Sequence, residues 1–302
     1  MKWMDHGKSL EIFPPKEFDF NECLIFLRRS EGEILHRIKG GYLYKLIKMN
    51  DELILIKIGS TEHSIQVEFP VGMLSETTRE KVADYIWEWF DLGQNLGEFY
   101  EVTRKDAMLD QLADSYYGLR IMCIPDLFEA LTWAILGQQI NLTFAYTLKK
   151  RLVEQYGKSL TCEGQTYWLF PTHEKIAELE IEDLRKLQFS TRKAEYIIGV
   201  AEAMTRGQLT KKTLLDLREY HQVHQALVSI RGVGAWTADY VMMKCLHYPT
   251  AFPIADVGLH NALKQQLGLE CKPTIEEIKM MAVNWKGWEA YATFYLWRSL
   301  YE

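Results

Sequence analysis

Several features that define common protein classes are missing from this 302-residue sequence. Its five cysteines are scattered, and no two of them have the spacing of metal ligands. This argues against zinc or an iron–sulfur cluster and indicates reduced thiols. No stretch reaches eighteen consecutive apolar residues, so we expect no membrane span. The first residues also lack the apolar core of a signal peptide, so we expect a cytoplasmic protein.

Net positive charge is missing as well, because the formal net charge is −6 at pH 7. The acidic surplus lies in residues 1–110, which hold 14 basic and 20 acidic side chains, whereas residues 111–302 hold 21 of each. Within the second part, residues 185–218 carry eight basic and three acidic side chains. Charge alone leaves two interpretations of this segment open: a local basic face, or a solvated helix pair with surplus cations.

The first third of the chain has the patterns of both strands and helices. Strand-like runs joined by short turns predict an antiparallel sheet, and apolar residues at helical spacing predict two helices. The strands are expected at 42–48, 52–58 and 64–69, and the helices at 20–29 and 76–90.

From about residue 100 onward the strand signal disappears, and short helices follow one another between glycine and proline breaks. We therefore predict an α+β protein with two domains. Residues 1–105 form a small N-terminal antiparallel β-sheet domain with helices, which supports the rest. Residues 106–302 form an all-α core with a helical hairpin at 221–246.

The hairpin carries the strongest local signal in the sequence. Gly232 and Gly234 interrupt two helical patterns and leave backbone amides bare at the start of the second helix. Such amides and the helix dipole favour an anion, and a DNA phosphate is a natural ligand for them. The alternative is an ordinary helix–helix turn, but the longer frame LxxIxGVGxxTA favours phosphate binding.

Three segments together resemble the helix-hairpin-helix DNA glycosylase superfamily. Residues 230–240, IRGVGAWTADY, are similar to its hairpin, and residues 252–256, FPIAD, to the following loop with its catalytic aspartate. Residues 127–139, LFEALTWAILGQQ, resemble the first core helix of its alkylation-repair branch, the bacterial 3-methyladenine glycosylase II type. The resemblance spans residues 110–300 and implies an enzyme that removes damaged bases from DNA.

The resemblance implies that Asp256 is the catalytic residue. Its position before an apolar helix also predicts an N-cap, and one carboxylate can do both. When a base leaves, positive charge develops on the sugar, and a nearby carboxylate stabilises this charge and orients a water molecule. No paired acid stands out in the sequence, which fits a base that already carries positive charge from alkylation.

Position 236 distinguishes two types of reaction. In superfamily members that also cut the DNA backbone, a lysine stands there and forms a Schiff base with the sugar. This chain has Trp236, whose indole is no amine nucleophile. We therefore predict base removal by water, which leaves an abasic site without strand scission.

An enzyme of this kind flips its target base out of the duplex and holds it against aromatic faces. The resemblance implies that Trp236, Tyr240 and Trp297 line this base pocket. An electron-rich indole also favours a cationic methylated purine. The alternative for each is a place in the core, and Trp297 shares a core-like helical stripe with neighbouring aromatic residues.

The resemblance places the remaining DNA contacts at the end of the first core helix and in the hairpin. The wedge that fills the gap left by the flipped base is apolar in the relatives, whereas Gln139 stands there in this chain. No metal is required, although relatives suggest a monovalent cation at the carbonyls of Val228, Ile230 and Gly232. The expected wedge and DNA-contact residues are Gln138, Gln139, Gly232, Gly234 and Thr237.

The sequence thus predicts a DNA glycosylase for alkylated purines that acts on double-stranded DNA with damaged bases. We expect no cofactor, no membrane association, and a monomer located with the nucleoid in the cytoplasm. Two alternatives stay open. One is a glycosylase for oxidised purines, and the other is a non-catalytic module that grips damaged DNA by its hairpin.

Overall fold

A six-stranded antiparallel sheet forms most of the first third of the chain, with the strand order β1-β2-β6-β5-β4-β3. The structure is a computed structural model that describes residues 1–301. The strands are β1 (Lys2–Asp5), β2 (Ser9–Phe13), β3 (His36–Lys39), β4 (Tyr42–Met49), β5 (Glu52–Ser60) and β6 (Ile65–Glu68).

The predicted antiparallel sheet is confirmed, since the three strand-like runs correspond to β4, β5 and β6. Asn50 and Asp51 form the tight turn between β4 and β5, with φ of 49° and 68°. Left-handed φ at both central residues is what a two-residue hairpin turn requires. The pattern missed the other three strands. Two of these, β1 and β3, have only four residues each and lie at the two edges of the sheet.

Two helices accompany the sheet, and both begin at a capping side chain. Helix α1 (Phe20–Leu27) starts after Asp19, whose carboxylate accepts the amide hydrogen of Glu22 at 2.9 Å. Helix α2 (Glu76–Trp89) starts after Ser75. Such caps satisfy amides that have no partner inside the helix.

Helices dominate the remainder of the chain, as predicted. They are α3 (Leu96–Thr103), α4 (Ala107–Ser115), α5 (Leu127–Gly137), α6 (Leu142–Tyr156), α7 (His173–Ala177), α8 (Ile181–Lys186), α9 (Thr191–Thr205), α10 (Lys211–Asp216), α11 (Tyr220–Val228), α12 (Ala235–Lys244), α13 (Val257–Gln266), α14 (Ile275–Met281) and α15 (Glu289–Arg298), with a 3-10 turn at Ala282–Trp285 before the last.

The expectation of an all-α core is wrong at one place. Strands β7 (Lys158–Cys162) and β8 (Gln165–Leu169) form a hairpin between α6 and α7. Its turn consists of Glu163 and Gly164, both with positive φ. The hairpin is stabilised by the N-terminal sheet, because Tyr167 is buried with Leu46 and Leu55 of β4 and β5. A long-range contact of this kind leaves no local sequence signal.

The two predicted domains share one continuous core. Helix α1 packs against α15, where the rings of Phe26 and Phe294 lie 4.3 Å apart. At the same contact Arg298 Nε donates a hydrogen bond to Glu22 Oε2 at 3.1 Å. The N-terminal part therefore contacts the last helix of the chain, and the boundary at residue 105 stays a prediction.

The five cysteines are free thiols, and three of them, Cys23, Cys123 and Cys245, are buried. Among residues 1–301, none of the helices has the length and apolar character needed to span a bilayer.

Candidate active site

The hairpin forms where the sequence places it, from α11 through a short turn to α12. Gly232 has φ of 91°, and a β-carbon at this position would lie 2.3 Å from Cγ of Tyr196. Both the left-handed conformation and the packed ring require glycine here. Gly234 is the N-cap of α12 with φ of −92°, and a β-carbon there would meet open space.

A shallow groove lies in front of the α12 N-terminus. We call it the hairpin groove; it is lined by Gln138, Tyr196 and residues 232–237. The cap residue Gly234 offers no side chain, so the first amides of the helix face solvent or a ligand. Free amides at a helix N-terminus bind phosphate oxygens without reading sequence. The groove therefore has the geometry of a backbone-binding site.

Asp256 lies at the N-terminus of α13 and caps it, as predicted. Its Oδ1 accepts the amide hydrogen of Leu259 at 2.9 Å. The same oxygen accepts a hydrogen bond from Trp297 Nε1 at 2.8 Å, and Oδ2 accepts one from Trp236 Nε1 at 3.0 Å. Three N–H donors from three helices thus fix the plane of one half-exposed carboxylate.

Gly258 allows this arrangement. A β-carbon at position 258 would lie 2.8 Å from Asp256 Oδ1 and 3.2 Å from Trp297 Nε1. Any larger residue would push the carboxylate and the indole apart. The small residue two positions after the aspartate is a feature of the site that our sequence reasoning missed.

The three aromatic residues predicted to form the base pocket come together. Tyr240 lies between the two indoles, with ring centroids 5.7 Å from Trp236 and 6.1 Å from Trp297. All three line a cleft of about 710 Å³ that also contains Asp256. The two tryptophans have a second role that the sequence did not reveal, since both also hold the carboxylate. Tyr240 is recessed and only 8% exposed.

The turn after α5 contacts the hairpin directly. Gln138 Nε2 donates hydrogen bonds to the carbonyl of Gly232 at 2.9 Å and to Thr237 Oγ1 at 3.0 Å. The Thr237 side chain is 1% exposed. These two side chains thus join two segments of the protein. The predicted DNA contacts of Gln138 and Thr237 stay a prediction.

Lys193 holds the same turn from its other side. Its Nζ donates to the carbonyls of Ile135, Leu136 and Gln138 at 2.9, 2.6 and 2.7 Å, which satisfies the open end of α5. Burial lowers the pKa of this lysine to about 8. Lys193 is therefore a cap of α5.

Gln139 is the residue that the turn presents outward. It is exposed, lines the cleft, and has φ of 56°, a left-handed conformation that is uncommon for a residue with a side chain. Its fixed neighbours orient it at the cleft entrance. This position suits the predicted wedge.

The three carbonyls considered for a monovalent cation are partly engaged in hydrogen bonds within the protein. The Gly232 carbonyl accepts the hydrogen bond from Gln138, and the Ile230 carbonyl accepts the amide hydrogen of Val233 at 3.0 Å. Two of the three thus already accept one hydrogen bond each from the protein, and each oxygen keeps a second lone pair. No step of the chemistry depends on a cation.

Most of the cationic side chains in the basic segment 185–218 have partners within the protein. Lys193 is used inside the protein, and five other cations have carboxylate partners. This favours the solvated helix pair over a basic face, in agreement with the balanced charge of the core. The pairs are Arg185–Glu182, Lys186–Asp183, Arg206–Glu202, Lys211–Glu88 and Lys212–Asp216.

The deeper part of the cleft is built from residues that sequence reasoning did not select. Two of them, Phe26 and Arg29, come from the N-terminal part of the chain. Nothing in the local pattern around them signals a site, because only the packing of α1 against α15 brings them there. The unpredicted residues include Phe26, Arg29, Trp133, Lys244, Leu300 and Tyr301.

Lys244 lies at the end of α12 and is 3% exposed. Burial lowers its pKa to about 7, and its Nζ donates a hydrogen bond to the carbonyl of Met122. Among residues 1–301, it is the only lysine that lines the cleft. An amine directed at a backbone carbonyl and shielded from solvent is poorly placed for attack on a sugar.

Two family models match the chain. The model for HhH-GPD superfamily base excision DNA repair proteins matches residues 132–290, and the model for the N-terminal domain of 8-oxoguanine DNA glycosylase matches residues 12–131. The chain belongs to the HhH-GPD superfamily of base excision DNA repair proteins.

Similar proteins support this assignment over the whole chain. A DNA-3-methyladenine glycosylase of Bacillus subtilis is 42% identical, with all of both chains covered. DNA-3-methyladenine glycosylase 2 of Escherichia coli is 30% identical over 64% of each chain. The 3-methyladenine DNA glycosylase of Archaeoglobus fulgidus has a TM-score of 0.79 at 24% identity, covering 95% of this chain and 97% of that one.

The same fold occurs in enzymes for another lesion. The 8-oxoguanine glycosylase/lyase of Clostridium acetobutylicum, solved with double-stranded DNA, has a TM-score of 0.76 at 19% identity. The match covers 99% of this chain and 97% of that one. Fold similarity therefore leaves the lesion undecided, and the residues of the cleft must decide it.

Proposed function

We propose that this protein is a DNA glycosylase that hydrolyses the N-glycosidic bond of alkylated purines in double-stranded DNA and leaves the strand intact. One observation carries the proposal. A carboxylate held by two indole N–H groups lies in a cleft with aromatic walls, next to a groove of free helix amides.

This geometry gives each part of the site its own role. The hairpin groove takes a backbone phosphate, which positions the duplex without reading its sequence. Gln139 enters the gap, and the flipped base stacks on the aromatic walls of the cleft. Asp256 faces the sugar, stabilises the positive charge that develops there, and orients the attacking water.

The choice of an alkylated purine rests on the carboxylates of the cleft. Within residues 1–301, Asp256 is the only carboxylate among the lining residues. Glycosidases with ordinary leaving groups use a second carboxyl group as an acid. A purine that already carries positive charge from alkylation leaves without such an acid, and its charge is attracted by the indole faces.

The absence of strand cleavage rests on position 236 and on Lys244. The N-terminus of α12 carries Trp236, whose nitrogen is a donor to Asp256 rather than a nucleophile. The one lysine that lines the described cleft donates to Met122 and is buried. Water is therefore the nucleophile that the site provides.

The match to the family model for the N-terminal domain of 8-oxoguanine DNA glycosylase makes 8-oxoguanine the second candidate substrate. The deciding experiment presents the purified protein with methylated duplex DNA and with a duplex containing 8-oxoguanine. Chromatography identifies released bases, and a denaturing gel run without heat or alkali reports strand integrity. We expect methylated purines to be released from intact strands. Release of 8-oxoguanine alone, or nicked strands, would contradict the proposal.

A further inference from the structure

Arg29 is the cationic side chain that the N-terminal part contributes to the cleft. It follows α1, is half-buried, and lines the same cleft as Asp256, more than two hundred positions later in the chain. No other arginine lines this cleft within residues 1–301. The mechanism described above does not use it.

Phe26 holds the guanidinium of Arg29 in place. The Arg29 Cζ atom lies 4.1 Å from the centre of the Phe26 ring, and Nη1 donates a hydrogen bond to the Phe26 carbonyl at 3.1 Å. A guanidinium has five N–H donors and no acceptor. Within the described chain this is the one hydrogen bond of the Arg29 side chain, so other donors remain for a ligand in the cleft.

Lys244 is the other cation that lines the cleft. The Nζ of Lys244 is committed to the carbonyl of Met122, and the residue is 3% exposed. Arg29 is the less buried of the two and keeps free donors. The Arg29 side chain therefore contributes N–H donors to the cleft.

Purines differ in what they present to such donors. Guanine carries a carbonyl oxygen at position 6, which accepts hydrogen bonds, whereas adenine carries an amino group there, which donates them. A guanidinium offers only donors, so it pairs with the first and leaves the second unpaired, and this is the kind of mismatch that produces strong discrimination.

We propose that Arg29 determines which alkylated purines the enzyme prefers: its guanidinium donates to the oxygen at position 6, so guanine-type lesions are favoured over adenine-type lesions. This inference rests on the proposed function. The two proposals can fail separately, since a glycosylase without a role for Arg29 would still release methylated bases.

A matched pair of lesions provides the test. 3-Methylguanine and 3-methyladenine carry the same methyl group and the same positive charge in DNA. They differ at position 6 and in the 2-amino group of guanine. Duplex DNA treated with dimethyl sulfate contains both, and chromatography of the released bases gives kcat/KM for each. The measured quantity is the ratio of the two values in each variant.

We expect R29M to lower release of 3-methylguanine about tenfold and to leave release of 3-methyladenine within about twofold. R29K keeps the charge but loses the planar fork, so its ratio should lie between those of wild type and R29M. R28M is the control, because Arg28 is the adjacent exposed arginine outside the cleft, and both rates should stay unchanged.

Other outcomes overturn the inference. If R29M and R29K lower both rates equally, Arg29 supports the fold or contacts a phosphate and does not select the base. Thermal melting of each variant separates those two roles. If the wild-type protein releases neither base, the proposed function itself fails. If it releases both and the ratio is the same in every variant, only the role of Arg29 fails.

Discussion

Two parts of the chain line the cleft, which we call its hairpin end and its N-terminal end, and they are built in different ways. The hairpin end consists of α12, the loop before α13 and the final helix, and its functional atoms are a carboxylate, two indole nitrogens and bare amides. The N-terminal end contributes Phe26 and Arg29 from the segment at α1. The first end can carry out the same chemistry on any alkylated purine, whereas the second presents donors that can distinguish one purine from another.

One fold serves enzymes for different lesions. The structural relatives include a 3-methyladenine glycosylase and an 8-oxoguanine glycosylase/lyase, both similar over nearly the whole chain. From the proposed roles we expect that substitution at the N-terminal end changes what the cleft accepts without disturbing the carboxylate. Substitution at the hairpin end is expected to change the reaction itself.

The largest effect is expected for D256N. Base release should fall about 100- to 1,000-fold, because charge stabilisation of the transition state is lost. Asparagine still caps α13, so the fold should persist. Binding to a duplex with an abasic-site analogue, measured by fluorescence anisotropy, should change little. Undiminished release would show that Asp256 is not the catalytic carboxylate.

The two hairpin glycines should behave differently. G232A forces a left-handed conformation on alanine and drives a methyl group into Tyr196, so we expect a loss of about 2 kcal/mol or more in the free energy of unfolding. G234A faces open space and should fold normally, but its methyl group stands where a phosphate would lie. Urea denaturation and DNA-binding titrations measure the two effects, and equal stability of both variants would contradict this account.

W236F tests the indole as a donor while keeping an aromatic face. We expect kcat to fall about tenfold with little change in KM, since the lost hydrogen bond orients a charged group. W297F should act alike. The double variant should lose less than the product of the two single losses, because both indoles hold one carboxylate. Fully multiplicative losses would show that the two rings act independently.

The smallest effect concerns the contact between the two parts of the chain. His247 follows α12, and its Nδ1 lies 2.7 Å from Asp91 Oδ1 at the end of α2. Burial opposes protonation of His247, but the Cys123 sulfur and the Asp91 carboxylate raise its pKa to about 10. The stability from this pair is therefore complete below about pH 6.5, the ordinary value for histidine, and is lost as the pH rises through about 10.

H247N removes the pair, and asparagine tolerates the left-handed φ of 60° at this position. We expect a loss of about 2 kcal/mol in the free energy of unfolding at pH 6, shrinking towards pH 10. Urea denaturation across this range measures it. H63N is the control, since the His63 side chain is 82% exposed. A loss of the same size at both pH values would show that the ion pair does not contribute.

Much of the site was predictable because its signals are local. Two glycines around a helix break, a carboxylate before an apolar helix, and a tryptophan in place of a lysine are each defined within a few residues of sequence. The predicted cap of α13 and the meeting of Trp236, Tyr240 and Trp297 agree with the structure. The helical pattern of the core was equally local, since helices depend on contacts three and four residues apart.

The details of the site that the sequence did not reveal depend on long-range contacts. The sequence pattern does not show that Gln138 binds Thr237, that Lys193 caps α5, or that both indoles donate to one carboxylate. The β7–β8 hairpin was missed for the same reason, since it is stabilised by the N-terminal sheet.

The hairpin, the carboxylate and the lack of an amine nucleophile at position 236 could be predicted, because short-range backbone geometry and residue chemistry specify them. The other residues of the cleft became apparent only from the packing of distant helices. The packing of α1 against α15 carries Phe26 and Arg29 into the cleft. The physical reason is that burial of apolar side chains sets this packing, and it brings together residues whose separation along the chain carries no signal.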